Sequence, residues 1–265
     1  MLTQDDIQQF IEKIPPAPVV LKTTLQHVNE GDLVKAAKTA EADPALKSYL
    51  RQIVNRPIYG FRNEVSDLSQ IFGILGISGA QQTLYNYMLS LLSPAAWSLF
   101  RLNAASYADL QAQLNRRWHK VLVHLKIDDK EIESAITLLP ASIIVCEALF
   151  HSHRDEVALL RGAKAIDYNT ILQRLCGQDL FDLCERIGRT WEMPEQIIAI
   201  VRAASGVKPA VDSAVDTLGK WMHLLLFYVL SQPLFINAGL NDFIDFQVDY
   251  VTDIYDDFST LMEIA

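Results

Sequence analysis

An all-α fold is predicted for this chain, on three observations. Apolar residues recur at steps of three and four along nearly every segment rather than in alternation. Helix-start dipeptides such as Asp43-Pro44 and Pro194-Glu195 punctuate the sequence. No two-residue turn joins two alternating runs, as a β-hairpin would require.

The elements follow in order. Ile7, Phe10, Ile11 and Ile14 form the stripe of a first helix, capped by Thr3 or Asp5 and ended by Pro15-Pro16-Ala17-Pro18. Val20, Leu21, Leu25 and Val28 face inward from the next, which stops at Asn29-Glu30-Gly31. A third starts near Asp32 and carries Leu33, Ala36, Ala37 and Ala40, small enough for close helix approach. Asp43 accepts free amide protons and Pro44 wastes no donor, so a fourth helix begins there and presents Leu46, Tyr49, Leu50, Ile53 and Val54. Ser66 is the expected cap of a short helix closed by Leu75-Gly76-Ile77, and Ser78 with Gln81 forms the expected capping box for Thr83 to Leu92. Further helices are expected over 95–102, 107–125, 130–151, 154–163, from Tyr168, over 178–190, from Pro194-Glu195 to Gly206, and over 211–230 and 240–263. No solenoid repeat or low-complexity stretch is present.

Composition bounds the function. A chain of 265 residues that is 50% apolar can bury a large core. Its 32 acidic against 23 basic residues, a net charge of −9, repel phosphate backbones and anionic lipid, so neither nucleic acid nor membrane is the expected partner. The acidic start, Met1 to Asp6, is unlike an export signal, and a cytoplasmic location is expected. The apolar runs Ile136–Phe150 and Leu224–Ile236 are shorter than the roughly 20 residues that span a bilayer and read as core helices. Cys146, Cys176 and Cys184 form no Cys-x-x-Cys pair and are expected to be buried thiols.

Between Ile14 and about Leu92 the chain carries Ile14-Pro15-Pro16-Ala17-Pro18-Val19-Val20, Glu41-Ala42-Asp43-Pro44-Ala45-Leu46, Tyr49-Leu50, Ile53-Val54-Asn55, Tyr59-Gly60 and Ile71 to Gly76. In this combination it resembles the HDOD domain, a bacterial family related to the HD phosphohydrolases. A weaker match from Tyr107 to about Ser205 rests on Trp118, the apolar helix at 136–150 and Leu180 to Pro194. The resemblance implies a multi-helix HDOD-type fold. An N-terminal helical bundle, residues 1–105, would pack on an HD-like helical subdomain, 106–265, whose last helices match nothing. It also implies a role in bacterial signalling, without an established reaction.

HD enzymes hold metal through a His-Asp doublet. The alignment puts Ser142 and Ile143 there, with Val145 in place of the usual glycine, and no His or Asp occurs between Glu133 and His151. A later histidine aligns with Leu180, and a closing His-His doublet aligns with Ala203-Ala204. His119 lies beside the expected first histidine, and Lys120 falls on it in one register. Imidazoles and carboxylates replace the water shell of a divalent cation, and Ser-Ile-Ile-Val offers one weak hydroxyl. No metal or other cofactor is expected.

Other constellations have ordinary explanations beside functional ones. His119 and His124 stand about 140° apart around a helix and point away from each other. His151, Ser152, His153, Arg154, Asp155 and Glu156 could hold a metal, or form a polar loop and an acidic first turn. Asp242, Asp245, Asp249, Asp253, Asp256 and Asp257 read as the solvated face of the last helix, opposite Phe243, Phe246, Tyr250, Ile254 and Phe258, or as a surface for a basic partner. Arg116-Arg117 beside Trp118 could clamp a phosphate or simply face solvent. Asp128-Asp129 reads first as a helix cap. No phosphate loop, nucleophile elbow or His-Glu-x-x-His helix is present.

The expected function is a non-enzymatic regulatory, signal-transduction module that binds a protein partner or a small ligand. The alternative is a divergent metal-dependent phosphohydrolase with a site rebuilt from His119, His151, His153 and Asp155. A homo-oligomeric structural subunit is a third possibility.

Overall fold

The computed structural model describes residues 5, 9, 18–94, 96–151, 153–164, 166–191, 193–207, 210–241 and 243–264. The expected first helix through Ile7, Phe10, Ile11 and Ile14, with its Pro15 to Ala17 stop, lies outside the described residues. Every regular element among the described residues is helical. These residues divide into two compact units, one within Pro15–Leu92 and one within Ser93–Ala265.

In the first unit, α1 (Val19–Asn29), α2 (Leu33–Ala40) and α3 (Pro44–Val54) bury their periodic stripes. Ala36, Ala37 and Ala40 are at most 1% exposed, which brings α2 close to α1 and to α4 (Leu68–Leu92). The Asp32 carboxylate accepts from the Lys35 amide at 2.9 Å, and Asp43 accepts from Ala45 and Leu46. These are the N-cap bonds that satisfy otherwise orphaned donors. Asn55 then clamps the following loop. Its amide group donates to the Arg51 and Val65 carbonyls, and its carbonyl accepts from the Val65 amide at 2.8 Å.

Two expectations here are corrected. The cap of α4 is Asp67, which accepts from the Gln70 amide at 2.8 Å, rather than Ser66. At Gly76, whose φ of 64° only glycine adopts without strain, two helices meet within α4, as the Leu75-Gly76-Ile77 stop predicts, but Gln81 forms no capping box with Ser78. Gln81 donates to Asn29 at 2.7 Å and ties α4 to the end of α1.

The second unit starts with α5 (Ala104–His124), capped by a reciprocal Asn103–Ser106 box. The short α6 (Lys130–Ser134) and a 3₁₀ turn at Ala135–Thr137 lead into α7 (Leu138–His151). The expected single helix over 130–151 is interrupted there, because Pro140 has no N–H to continue the ladder. Asp129 caps α6 through the Glu131 and Ile132 amides. Trp118 Nε1 donates to the Ile132 carbonyl at 2.9 Å and Tyr107 donates to the Pro140 carbonyl at 2.9 Å, fixing α5 against this segment. The stretch Glu131–His151 is long and apolar enough to cross a membrane, but 89% of its apolar 18-residue window is buried inside the protein.

There follow α8 (Arg154–Lys164), α9 (Tyr168–Cys176), α10 (Leu180–Thr190), α11 (Glu195–Ala203), α12 (Ser213–Leu230), α13 (Pro233–Asn237), α14 (Val248–Val251) and α15 (Tyr255–Met262). The expected last helix over 240–263 is broken, with irregular backbone before Val248 and a 3₁₀ turn at Thr252–Ile254. That segment is rich in Asp, Thr, Val and aromatic residues, all modest helix formers, so tertiary contacts decide its path. No helix forms over 95–102 either: the described residues there bend around a buried carboxylate on α7.

Candidate functional site

The positions aligned with metal ligands gather where α7, α10 and α11 pack together. Contact is close: a Cβ on Gly188 of α10 would lie 3.0 Å from Ile198 and 3.2 Å from Leu138. Ser142 is 2% exposed, and its hydroxyl donates to the Leu139 carbonyl at 2.6 Å. The buried Cys184 thiol donates to the Leu138 carbonyl at 3.4 Å and is hydrogen-bonded to Ser142. Burial pushes that thiol up to about 12, so without a neighbouring cation it stays protonated at neutral pH. Asp179 and Arg202 also act on Cys184 through their charges, so residues 142, 179, 184 and 202 share one neighbourhood. Ile143 and Leu180 are each 1% exposed and Ala204 is fully buried.

The Ala203-Ala204 end is closed by α12. A Cβ on Gly219 would come within 2.6 Å of the Ala203 Cβ, so Ala203 and Gly219 are both small because the helices meet there. The Ala204 carbonyl accepts from His223 Nδ1 at 2.7 Å, while His223 Nε2 accepts from the Gln247 amide at 3.0 Å. A carbonyl only accepts and an amide only donates, so His223 is the neutral Nδ1–H tautomer with both nitrogens engaged. Burial lowers its basicity, and Phe246 stacks on it at 5.3 Å.

Positive charge beside this cluster comes from the chain itself. Asp179 and Asp182 cap α10 reciprocally, and Arg202 reaches Asp179 at 3.0 Å and Asp182 at 2.6 Å. Burial raises the Asp179 carboxyl above its usual range, against the opposing pull of the Asp182 amide and Arg202.

The histidines proposed for a rebuilt site have separate partners. His119 Nδ1 lies 2.7 Å from Glu133, in a surface depression of about 260 Å³ also lined by Lys126 and Asp129. His124 meets Asp257 at 3.0 Å. His151 Nδ1 is 2.7 Å from the Ser98 hydroxyl, His153 faces Glu156 at 3.7 Å, and Asp155 is exposed in the first turn of α8. Ser152 lies outside the described residues. No three His, Cys, Asp or Glu groups come together as a metal-holding set among the described residues. The donors at the aligned positions, one hydroxyl amid alkyl side chains, do not fit a divalent cation. Of the acidic row, Asp253 pairs with Lys220 at 2.7 Å and Asp257 with His124, while Asp242 lies outside the described residues.

One buried charge escaped the sequence reading. Glu147 on α7 is 1% exposed. Its carboxylate accepts from the amides of Ser98, Leu99 and Phe100 and from the Ser98 hydroxyl, at 2.5–3.0 Å. A single acid in the middle of an apolar helix was the available signal, since such a group persists only where donors meet it.

Two solved structures share this fold. An HDOD domain protein of unknown function from Geobacter sulfurreducens superposes with a TM-score of 0.66 at 13% identity, covering 98% of this chain and 95% of its own. A candidate phosphohydrolase from Shewanella amazonensis SB2B gives 0.64 at 12% identity and covers 99% of both chains. No curated protein matches the sequence. The HDOD domain profile matches residues 14–207, the span that contains the Asp43-Pro44 helix start, the Asn55 clamp and the packed α7–α10–α11 cluster, and the chain therefore belongs to the HDOD domain family.

Proposed function

We propose that this protein is a non-catalytic regulatory module that works by binding, its partner being a protein of a bacterial signalling pathway or a small ligand. What carries the reading is the packing at the aligned metal positions. Ser142, Ile143, Leu180, Ala203 and Ala204 are buried at 4% exposure or less and offer one weak hydroxyl among alkyl side chains. Phosphoryl hydrolysis in a metal-dependent enzyme needs the ion both to polarise the phosphate and to make hydroxide from water at neutral pH. None of the five side chains can take part in holding such an ion, apart from the weak Ser142 hydroxyl.

The test is metal content by mass spectrometry on protein purified without chelator or metal resin, together with hydrolysis assays on nucleotides and cyclic dinucleotides. Substoichiometric metal and no turnover are expected. Turnover abolished by Ser142→Ala or by His119→Ala would sink the reading in favour of a rebuilt phosphohydrolase site.

A further inference from the structure

A second region of the C-terminal unit has the opposite character. Arg116, Arg117 and Lys120 on α5 line a groove of about 450 Å³, with Tyr228 of α12 and Met262 and Glu263 at the end of α15. Three cations meet one carboxylate here, on a chain whose net charge is −9. The neighbouring acids do not neutralise them. Asp257 is engaged with His124 and Asp253 with Lys220. Glu263 reaches Lys120 at 3.4 Å, but its side chain is 85% exposed. Such a pair is weak and exchanges readily for a better anion. Arg116 is exposed and has no ion-pair partner among the described residues.

Arg117 is already positioned. Its guanidinium donates to Gln113 at 2.8 Å and lies over the Tyr228 ring at 5.4 Å, and Tyr228 in turn packs edge-on against Phe258 at 6.0 Å. A guanidinium held over an aromatic ring loses less rotamer entropy when it meets an oxyanion. Arg116 and Lys120 are one helical turn apart and share a face, so both can address the same anion. The volume lies within the range of small-ligand sites. Met262 and Tyr228 supply an apolar wall beside the cations.

We propose that this groove binds a phosphorylated small molecule with a flat apolar body, of nucleotide size. The phosphate would lie between Arg116 and Lys120, with Arg117 as the fixed donor and the apolar body against Met262 and Tyr228. The proposal rests on the binding-module reading and narrows it to a small ligand held on α5, away from the buried Ser142 cluster.

Calorimetric titration of the full chain with GTP, GMP and inorganic phosphate tests it. Saturable binding of GTP or GMP that weakens about tenfold in Arg116→Ala, and again in Lys120→Ala, is expected, since each removes one charge-assisted bond to the phosphate. Glu263→Gln should tighten binding a few-fold by removing the competing anion. Lys35→Ala, on the N-terminal unit, should leave it unchanged. Absence of nucleotide binding, binding equal in the Arg116 and Lys120 variants, or equal binding of inorganic phosphate alone would overturn the proposal. Chromatography of the same samples reads the other question separately: intact nucleotide leaves the non-catalytic reading standing, whatever the titration shows, and turnover removes it.

Discussion

The two ends of α7 bury polar groups in contrasting ways. Near its start, Ser142 has only its own helix carbonyl and the Cys184 thiol as partners, and alkyl side chains fill the aligned positions. Near its end, the Glu147 carboxyl sits at 1% exposure, because a bent segment turns three amides and a hydroxyl onto it. The difference teaches that this interior keeps an acid where the backbone supplies donors, and keeps none at the positions aligned with metal ligands, where nothing supplies them.

The sharpest way to break the comparison is at Glu147. Glu147→Ala leaves three amides, that of the buried Phe100 among them, without their acceptor, and urea unfolding should show a loss of about 3–5 kcal/mol. A loss below about 1 kcal/mol would mean that the bent segment is not held by this carboxylate. Restoring the doublet at the other end is expected to cost about 2–4 kcal/mol, because Ser142→His with Ile143→Asp adds an overpacked ring and an unpaired acid to a closed core. If that double variant kept its stability and took up stoichiometric manganese, the site would be open after all.

A subtler effect comes from His223. Burial lowers its basicity below the ordinary 6.5, so the unfolded chain binds the proton more readily than the folded one. Stability attributable to His223 is present above pH 6.5 and is lost as pH falls below that value toward the folded-state titration. The urea midpoint of the wild type should therefore drop between pH 7.5 and 5 by more than that of His223→Gln. Parallel profiles would show that His223 is not the group responsible. The smallest change is expected for Ser142→Ala, under about 1 kcal/mol, since the hydroxyl donates to its own helix and its contact with the Cys184 thiol is weak. A loss several times larger would give Ser142 a part in the α7–α10 contact beyond that bond.

Much of the architecture was legible. Asp43-Pro44, Asp32 and Asp129 predict helix starts that the structure contains, because N-caps are local interactions between a side chain and amides two or three residues on. The buried stripes on α1 to α3 follow from spacing alone. Less legible was residues 95–102, whose small and apolar residues suit a helix. Glu147, about fifty residues away, binds their amides instead. The bent segment falls within the unit Ser93–Ala265, the same unit as Glu147.

The candidate site divides in the same way. Sequence alone determined that Ser142, Ile143, Leu180, Ala203 and Ala204, the residues its resemblance aligns with metal ligands, bring one hydroxyl and otherwise alkyl groups, since residue identity limits which atoms can coordinate a metal. Only tertiary structure decided what happens around them: that Cys184 and Arg202 share the Ser142 neighbourhood, that Gly219 closes on Ala203, and that His119 and His151 serve different partners. It also placed Tyr228 and Glu263 beside Arg116, residues far apart in the chain. Local propensity and ligand chemistry are written residue by residue, whereas the choice of partner for a buried or charged group depends on which distant segments the packed core brings within a few ångströms.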